Sequence, residues 1–121
     1  MFPPIFPVCR ASPEVTALLG SDPMRLWPFG EGEQGGERPY AVWQIISGAP
    51  ENYLTNTPDT DRFGVQVDVY AREVDDAREV ARAIRNAIEP HAHIMAWRGE
   101  SREPDTRLYR ISFDVSWLVQ R

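Results

Sequence analysis

The spacing of apolar residues changes once between Arg62 and Glu89, and this change predicts a strand followed by a helix. Val65, Val67 and Val69 alternate with Gln, Asp and Tyr, which is the period of a strand with one buried face. From Val74 to the end of this stretch, apolar residues recur every three or four positions, which predicts an amphipathic helix. A strand that leads directly into a covering helix is typical of a small α+β domain.

Other segments predict one more helix and four more strands. Ser12 and Pro13 suit a helix start, because serine can accept a hydrogen bond from the first turn and proline fits the first helical position. Gly20 is expected to end this helix. Strands are predicted for Met24–Phe29, which Pro28 either places at an edge or ends, and for Tyr40–Ser47 as a central strand. Two more are predicted for Ile94–Arg98 and for Tyr109–Val119, which alternates most cleanly.

Together these elements predict a single domain, residues 1–121, of the α+β class with the order α-β-β-β-α-β-β. The small sheet is expected to be antiparallel or mixed, with two helices packed on one face. Prolines in residues 1–11 predict an extended N-terminal arm, because they oppose regular pairing. Glycine, proline and asparagine predict long loops at 30–38 and 48–61.

Composition narrows the possible functions. The apolar content of 42% and charged content of 26% are ordinary for a soluble domain. Four tryptophans in 121 residues, together with the apolar N-terminal arm, the long loops and the strand from Tyr40, favour an oligomer. The net charge of -5 argues against a protein that binds nucleic acid by neutralising phosphates. Cys9 is the only cysteine, so no intrachain disulfide can form and a reducing compartment is the simpler expectation. Prolines interrupt the apolar N-terminus, so we expect neither a signal peptide nor a spanning helix there.

Three features suggest chemistry, and none is complete. His91 and His93 could present both imidazoles on one face of a strand to a metal ion, but no further ligands follow in a recognisable pattern. Cys9 could be a nucleophile, but the sequence shows no partner base. The glycines of 30–36 lack the lysine and hydroxyl residue of a phosphate-binding loop, and nearby glutamates would repel phosphate. We therefore predict no cofactor, no metal and no enzymatic activity.

Four segments carry a resemblance to a known family. They are the RPY opening of RPYAVWQIISGAPENYL (38–54), the PENYL loop that ends it, the QVDVYA strand within DRFGVQVDVYA (61–71), and the SFDVSW strand within LYRISFDVSWLV (108–119). In this order and spacing the chain resembles the tail-completion proteins of long-tailed bacteriophages, also called tail terminators or head–tail joining proteins. None of these segments is a catalytic motif, so the resemblance is one of pattern.

The resemblance implies a structural virion protein that is assembled in the host cytoplasm. Members of this family form rings, typically homohexamers, at the head-proximal end of the tail. The expected partners are further copies of the chain, the major tail tube protein and the head–tail connector protein. DNA would pass through the lumen without sequence-specific binding, and the acidic balance suits a conduit that should not hold phosphates. No membrane association is expected.

The positions predicted to face water supply candidate contacts for a neighbouring subunit or the tail tube. They are Tyr53 and Leu54 in the second loop, Gln66, Asp68 and Tyr70 on the central strand, Arg78 and Arg82 on the helix, and Arg110 and Asp114 on the last strand. Two alternatives stay open: another tube or connector-adaptor ring subunit, and a small metal-dependent enzyme that uses the histidine pair.

Overall fold

A computed structural model describes residues 2–30, 38–52 and 57–121 of the chain. Within these residues, five strands form one mixed sheet in the order β1-β2-β3-β5-β4, accompanied by three helices. In chain order the elements are α1 (Ile5–Arg10), α2 (Pro13–Leu19), β1 (Leu26–Pro28), β2 (Tyr40–Pro50), β3 (Thr60–Ala71), α3 (Val74–Ile88), β4 (His93–Arg102) and β5 (Tyr109–Gln120). The predicted α+β class and the predicted order of its elements are confirmed.

The sheet is built around the pairing of β3 with β5. These strands are antiparallel over their whole length, from Thr60 opposite Gln120 to Ala71 opposite Tyr109. β2 and β4 flank this pair and are also antiparallel to their neighbours, whereas the short β1 runs parallel to β2 at one edge. The predicted edge position of the segment containing Pro28 is confirmed.

One face of the sheet carries the hydrophobic core. The valines at 65, 67 and 69 of β3 are fully buried, opposite the buried Val115, Phe113 and Ile111 of β5. α3 covers these side chains with its own apolar stripe, which includes Val80, Ile84 and Ile88. The buried side chains of the alternating strand β3 and of the apolar stripe of α3 therefore pack in one core, as the sequence predicts.

The turn between α2 and β1 depends on one glycine and one arginine. Ser12 Oγ accepts a hydrogen bond from the Val15 N–H at 3.3 Å, and the helix ends at Gly20, whose φ of 82° is one that glycine adopts without strain. Arg25 then joins two elements, because its Nη2 donates to Leu18 O at 3.0 Å and its Nε donates to Pro39 O at 2.8 Å.

The predicted extended arm at residues 1–11 is wrong for residues 5–10, which form α1. Ile5 and Cys9 lie one helical turn apart and are both buried within the helical layer. Pro7 is tolerated because it occupies the first turn, where a backbone N–H has no partner within the helix. The four-residue spacing of the two buried side chains was the available signal, and the density of prolines obscured it.

Three strands extend further than predicted. β2 continues to Pro50 and β3 begins at Thr60, so the ends of the predicted 48–61 loop belong to a hairpin in which Pro50 lies opposite Asp61. Gly48 permits this pairing, because the Phe63 ring lies where a β-carbon would be crowded, at 3.1 Å. β4 spans ten residues instead of five, and its side chains are mostly exposed, so it shows no burial pattern that the sequence could reveal.

Candidate assembly interface

The face of the sheet that the helices leave uncovered brings five of the nine predicted contact residues together. Gln66, Asp68 and Tyr70 project from β3, directly opposite Asp114, Ser112 and Arg110 of β5. We call this surface the open face. The period of two in both strands was sufficient to predict that these residues share one side, although it gave no indication of the bonds between them.

Asp68 is the centre of a polar network on the open face. It is only 8% exposed, and its Oδ1 accepts hydrogen bonds from Arg110 Nη2 at 3.2 Å, from Gln66 Nε2 at 3.2 Å and from the Ser112 hydroxyl. A buried carboxylate is costly unless its oxygens are paired, and hydrogen bonds to an ionised group are the stronger kind. The network therefore fixes β3 against β5, although two buried atoms on the same face, Arg110 Nε and Asp114 Oδ1, have no hydrogen-bond partner among the residues that the structure describes.

Two tyrosines close one end of this network. The rings of Tyr40 and Tyr70 stack at a centroid separation of 5.0 Å and an interplanar angle of 19°. Burial raises the pKa of the Tyr70 hydroxyl, while the Arg110 charge acts in the opposite direction. Stacking and half-burial give these side chains a packing role within one subunit.

The other end of the open face is a shallow depression of about 310 Å³ with apolar walls. Its floor includes Gly64, over which Ser47 and Ile46 of β2 are folded so closely that a β-carbon at residue 64 would overlap Ser47 Oγ. Met95 of β4 lines the depression from the opposite side and is 64% exposed. Asp114 also lines it, with Oδ2 accepting from Arg98 Nε at 2.7 Å.

Arg78 and Arg82 lie on the other side of the sheet from these five residues. Together with Arg85 they border a groove of about 330 Å³ between α3 and β4, and the Trp97 ring and Ile111 line it. Arg78 is held by Glu100, with Nε to Oε2 at 2.6 Å and Nη2 to Oε1 at 2.9 Å. The nine predicted residues therefore do not form one patch. Tyr53 and Leu54 lie outside the described residues.

The exposed apolar side chains are a feature that sequence reasoning expected but did not locate. Seven large ones are at least two-fifths exposed in the described part of the chain: Phe2, Phe6, Phe29, Ile46, Met95, Trp97 and Leu118. Four of these lie at the two edges of the sheet, Phe29 and Ile46 on one side and Met95 and Trp97 on the other. The apolar N-terminal segment, the long loops, the strand from Tyr40 and the tryptophan content indicated an apolar surface that needs a partner, but they did not say which side chains are exposed.

The candidate chemical groups do not converge. Burial raises the pKa of the Cys9 thiol to about 12, which suppresses the nucleophilic thiolate. His91 lies in the turn after α3 and His93 begins β4, and residues 2–30, 38–52 and 57–121 hold no group of three potential metal ligands around them or elsewhere. No helix in those same ranges is long and apolar enough to cross a membrane.

Comparison with known families decides the class of protein. Residues 3–120 match the family described as Tail completion protein gp17. The chain belongs to this family. It is a structural tail-completion protein of a phage virion, which confirms the resemblance seen in the four sequence segments.

A solved structure shares the fold of this tail-completion protein. A chain described as "Virion of native gene transfer agent (GTA) particle" superposes with a TM-score of 0.69 at 16% identity, covering 97% of this chain and 92% of the other. At this identity the likeness concerns the fold alone. No curated protein matches the sequence significantly.

Proposed function

We propose that this tail-completion protein assembles as a closed homomeric ring, a hexamer as in the family it resembles, which caps the tail tube and joins the tail to the head connector. One observation supports the ring most directly: exposed apolar side chains lie at both edges of the sheet, and the two edges differ in sequence and shape. Contact between two different surfaces of identical subunits is heterologous, and such contacts close into rings when the rotation allows.

The partners we propose are further copies of the chain, the major tail tube protein and the head–tail connector protein, with DNA passing through the lumen. We also propose that the protein has no enzymatic activity. Support for this comes from the burial of Cys9 and from the hydrogen bonds that Asp68 accepts, from Arg110 and Ser112 at Oδ1 and from Gln66 at Oδ2. The open face is our proposed contact surface for the tube or connector, because its polar side chains stay partly accessible beside an apolar depression.

Removing the gene from the phage tests the joining role. We expect tails that remain separate from DNA-filled heads, with tubes that extend beyond their normal length, and restoration of joined particles when the gene is supplied in trans. Normal particles formed without the protein would contradict the proposal.

Electron microscopy of the purified protein distinguishes a terminator from other ring subunits. A terminator should stop at closed rings, whereas a tube subunit should form long polymers under the same conditions. Native mass spectrometry of the same sample counts the subunits, and a closed assembly of any other number would contradict the hexamer while leaving the ring intact.

A further inference from the structure

The two edges of the sheet each leave backbone groups without a strand partner in the described part of the chain. β4 pairs only with β5, so its outer side is open along ten residues. β1 covers only Ala41–Trp43 of β2, so the outer side of β2 is open from Gln44 to Pro50. Unpaired N–H and C=O groups at an edge are a template for another strand. We call these surfaces the β4 edge and the β1–β2 edge.

Neither edge relies on free charges to discourage pairing, and the prolines of the β1–β2 edge, Pro28 and Pro50, lie only at the ends of their strands. Met95 and Trp97 on β4 are 64% and 47% exposed, while Phe29, directly after β1, is 65% exposed and Ile46 on β2 is 43% exposed. Edge strands usually carry free charges or prolines that discourage pairing with another chain. The charges of β4 are already engaged within the subunit, since Arg98 pairs with Asp114 at 2.7 Å, Glu100 pairs with Arg78 at 2.6 Å, and Arg102 Nε donates to Arg107 O at 3.0 Å.

The direction of the strands makes the two edges compatible. β2 is antiparallel to β3, β3 to β5, and β5 to β4, so β4 runs opposite to β2 and also opposite to β1. A neighbouring subunit that continues the sheet keeps the strand direction of the first. The β4 edge of one subunit would then meet the β1–β2 edge of the next in antiparallel orientation, which continues the alternation already present in the sheet.

Irregularities on the two edges also lie at the same level of the sheet. Ile46 is the extra residue where the β2 register shifts between Ile45 and Ser47, and Met95 is the extra residue where the β4 register shifts between Ile94 and Ala96. Ile45 and Ile94 are aligned through Val65 and Val115. Both bulges therefore occur beside the same row of the sheet, and each presents an exposed apolar side chain.

We propose that β4 of one subunit pairs antiparallel with the β1–β2 edge of a second copy, so that one sheet continues from subunit to subunit around the ring. Met95 then approaches Ile46 of the neighbouring copy, and Trp97 approaches its Phe29. This inference rests on the proposed ring and adds which surfaces meet within it. It also commits the exposed apolar edges, including Ile46 and Met95 at the rim of the depression, to a second copy of this chain, and it leaves the polar part of the open face for other partners.

Cysteine cross-linking in purified virions tests this pairing. The double variant Met95→Cys with Ile46→Cys, treated with a short bifunctional maleimide, should give a ladder of covalent oligomers that ends at the full ring. Cys9 can be retained, because it is fully buried. Within one chain the two introduced thiols are three strand spacings apart, about 14 Å, so the short reagent should join different subunits.

Three controls make the outcomes separable. Met95→Cys alone should stay monomeric on the gel, and a covalent dimer from it would show a two-fold β4–β4 contact and overturn the proposal. Met95→Cys with Glu79→Cys, which places the second thiol on an exposed position of α3, should give no ladder. If virions with the Met95→Cys and Ile46→Cys double variant show rings by electron microscopy but give no cross-linked oligomers, the edge pairing is refuted and the proposed ring is not. Virions with no ring of this protein would refute both.

Discussion

The substitution Asp68→Ala tests whether the network on the open face stabilises the subunit. Asp68 accepts hydrogen bonds from Gln66, Arg110 and Ser112, and its side chain is 11% exposed. The alanine variant leaves these three donors without their shared acceptor. The protein should still fold, because the apolar core lies on the other face of the sheet.

The expected cost follows from how much water each abandoned donor can reach. The Ser112 hydroxyl is buried, and a buried donor left without a partner costs about 1–2 kcal/mol. The Arg110 side chain is 34% exposed and can turn towards solvent, so it should cost about 1 kcal/mol, well below the penalty for a fully buried ion pair. The sum is about 2–3 kcal/mol, or about 10 °C in the melting temperature of a domain of this size.

Chemical denaturation of the purified protein measures this loss, and two variants sharpen its interpretation. Asp68→Asn keeps one oxygen acceptor but removes the charge, so it should cost about 1 kcal/mol. Asp105→Ala changes an exposed carboxylate in the turn between β4 and β5 and should stay within about 0.5 kcal/mol of the parent. A loss below about 0.5 kcal/mol for Asp68→Ala would show that the network does not contribute as argued.

Three further variants or treatments test other parts of the structure. Gly64→Ala should destabilise the subunit by about 1–3 kcal/mol, because the new β-carbon overlaps Ser47 Oγ. Adding Ser47→Ala should recover most of that loss, which denaturant midpoints of the single and double variants measure. A loss that the second substitution does not relieve would show that the strain lies elsewhere. The hydrogen bond from Arg78 lowers the pKa of Glu100 below its usual 4.5, so this pair stabilises the fold above pH 4.5 and its contribution is lost as the pH falls through the lowered pKa. Glu100→Gln should therefore make the melting temperature fall less steeply below pH 4.5. An unchanged slope would contradict this. With a pKa of about 12, the Cys9 thiol should react with a thiol reagent at pH 8 only after unfolding in guanidinium, and rapid labelling of the native protein would contradict the burial of α1.

The sequence was a good guide wherever burial follows a regular period. β3 and β5 each bury every second side chain beneath α3, so the valines of 65, 67 and 69 and the stripe of α3 were visible as patterns. The same alternation correctly grouped Gln66, Asp68 and Tyr70 on one face. It could not show that Asp68 is buried, because that burial depends on Arg110 and Ser112, which lie more than forty positions away along the chain.

The sequence failed where pairing, rather than burial, determines structure. β4 is held by backbone bonds to β5 while its side chains stay exposed, so half of its length carried no periodic signal. The bulges at Ile46 and Met95 arise from register shifts between strands and have no counterpart in local composition. These unpredicted positions are the ones that the proposed ring uses, since a surface that only a second copy covers has no buried pattern within one chain.

The arrangement of arginines connects the fold to the proposed passage of DNA. Five arginines on or beside the sheet each pair with a carboxylate of the same chain at 3.2 Å or less: Arg62, Arg78, Arg98, Arg110 and Arg121. Cations held in this way offer less attraction to phosphates than free ones, and the net charge of -5 acts in the same direction. A channel that must let DNA move needs weak contacts, whereas a ring that must hold under pressure needs strong ones. The chain meets both needs if internal ion pairs neutralise its faces and apolar edges join its subunits.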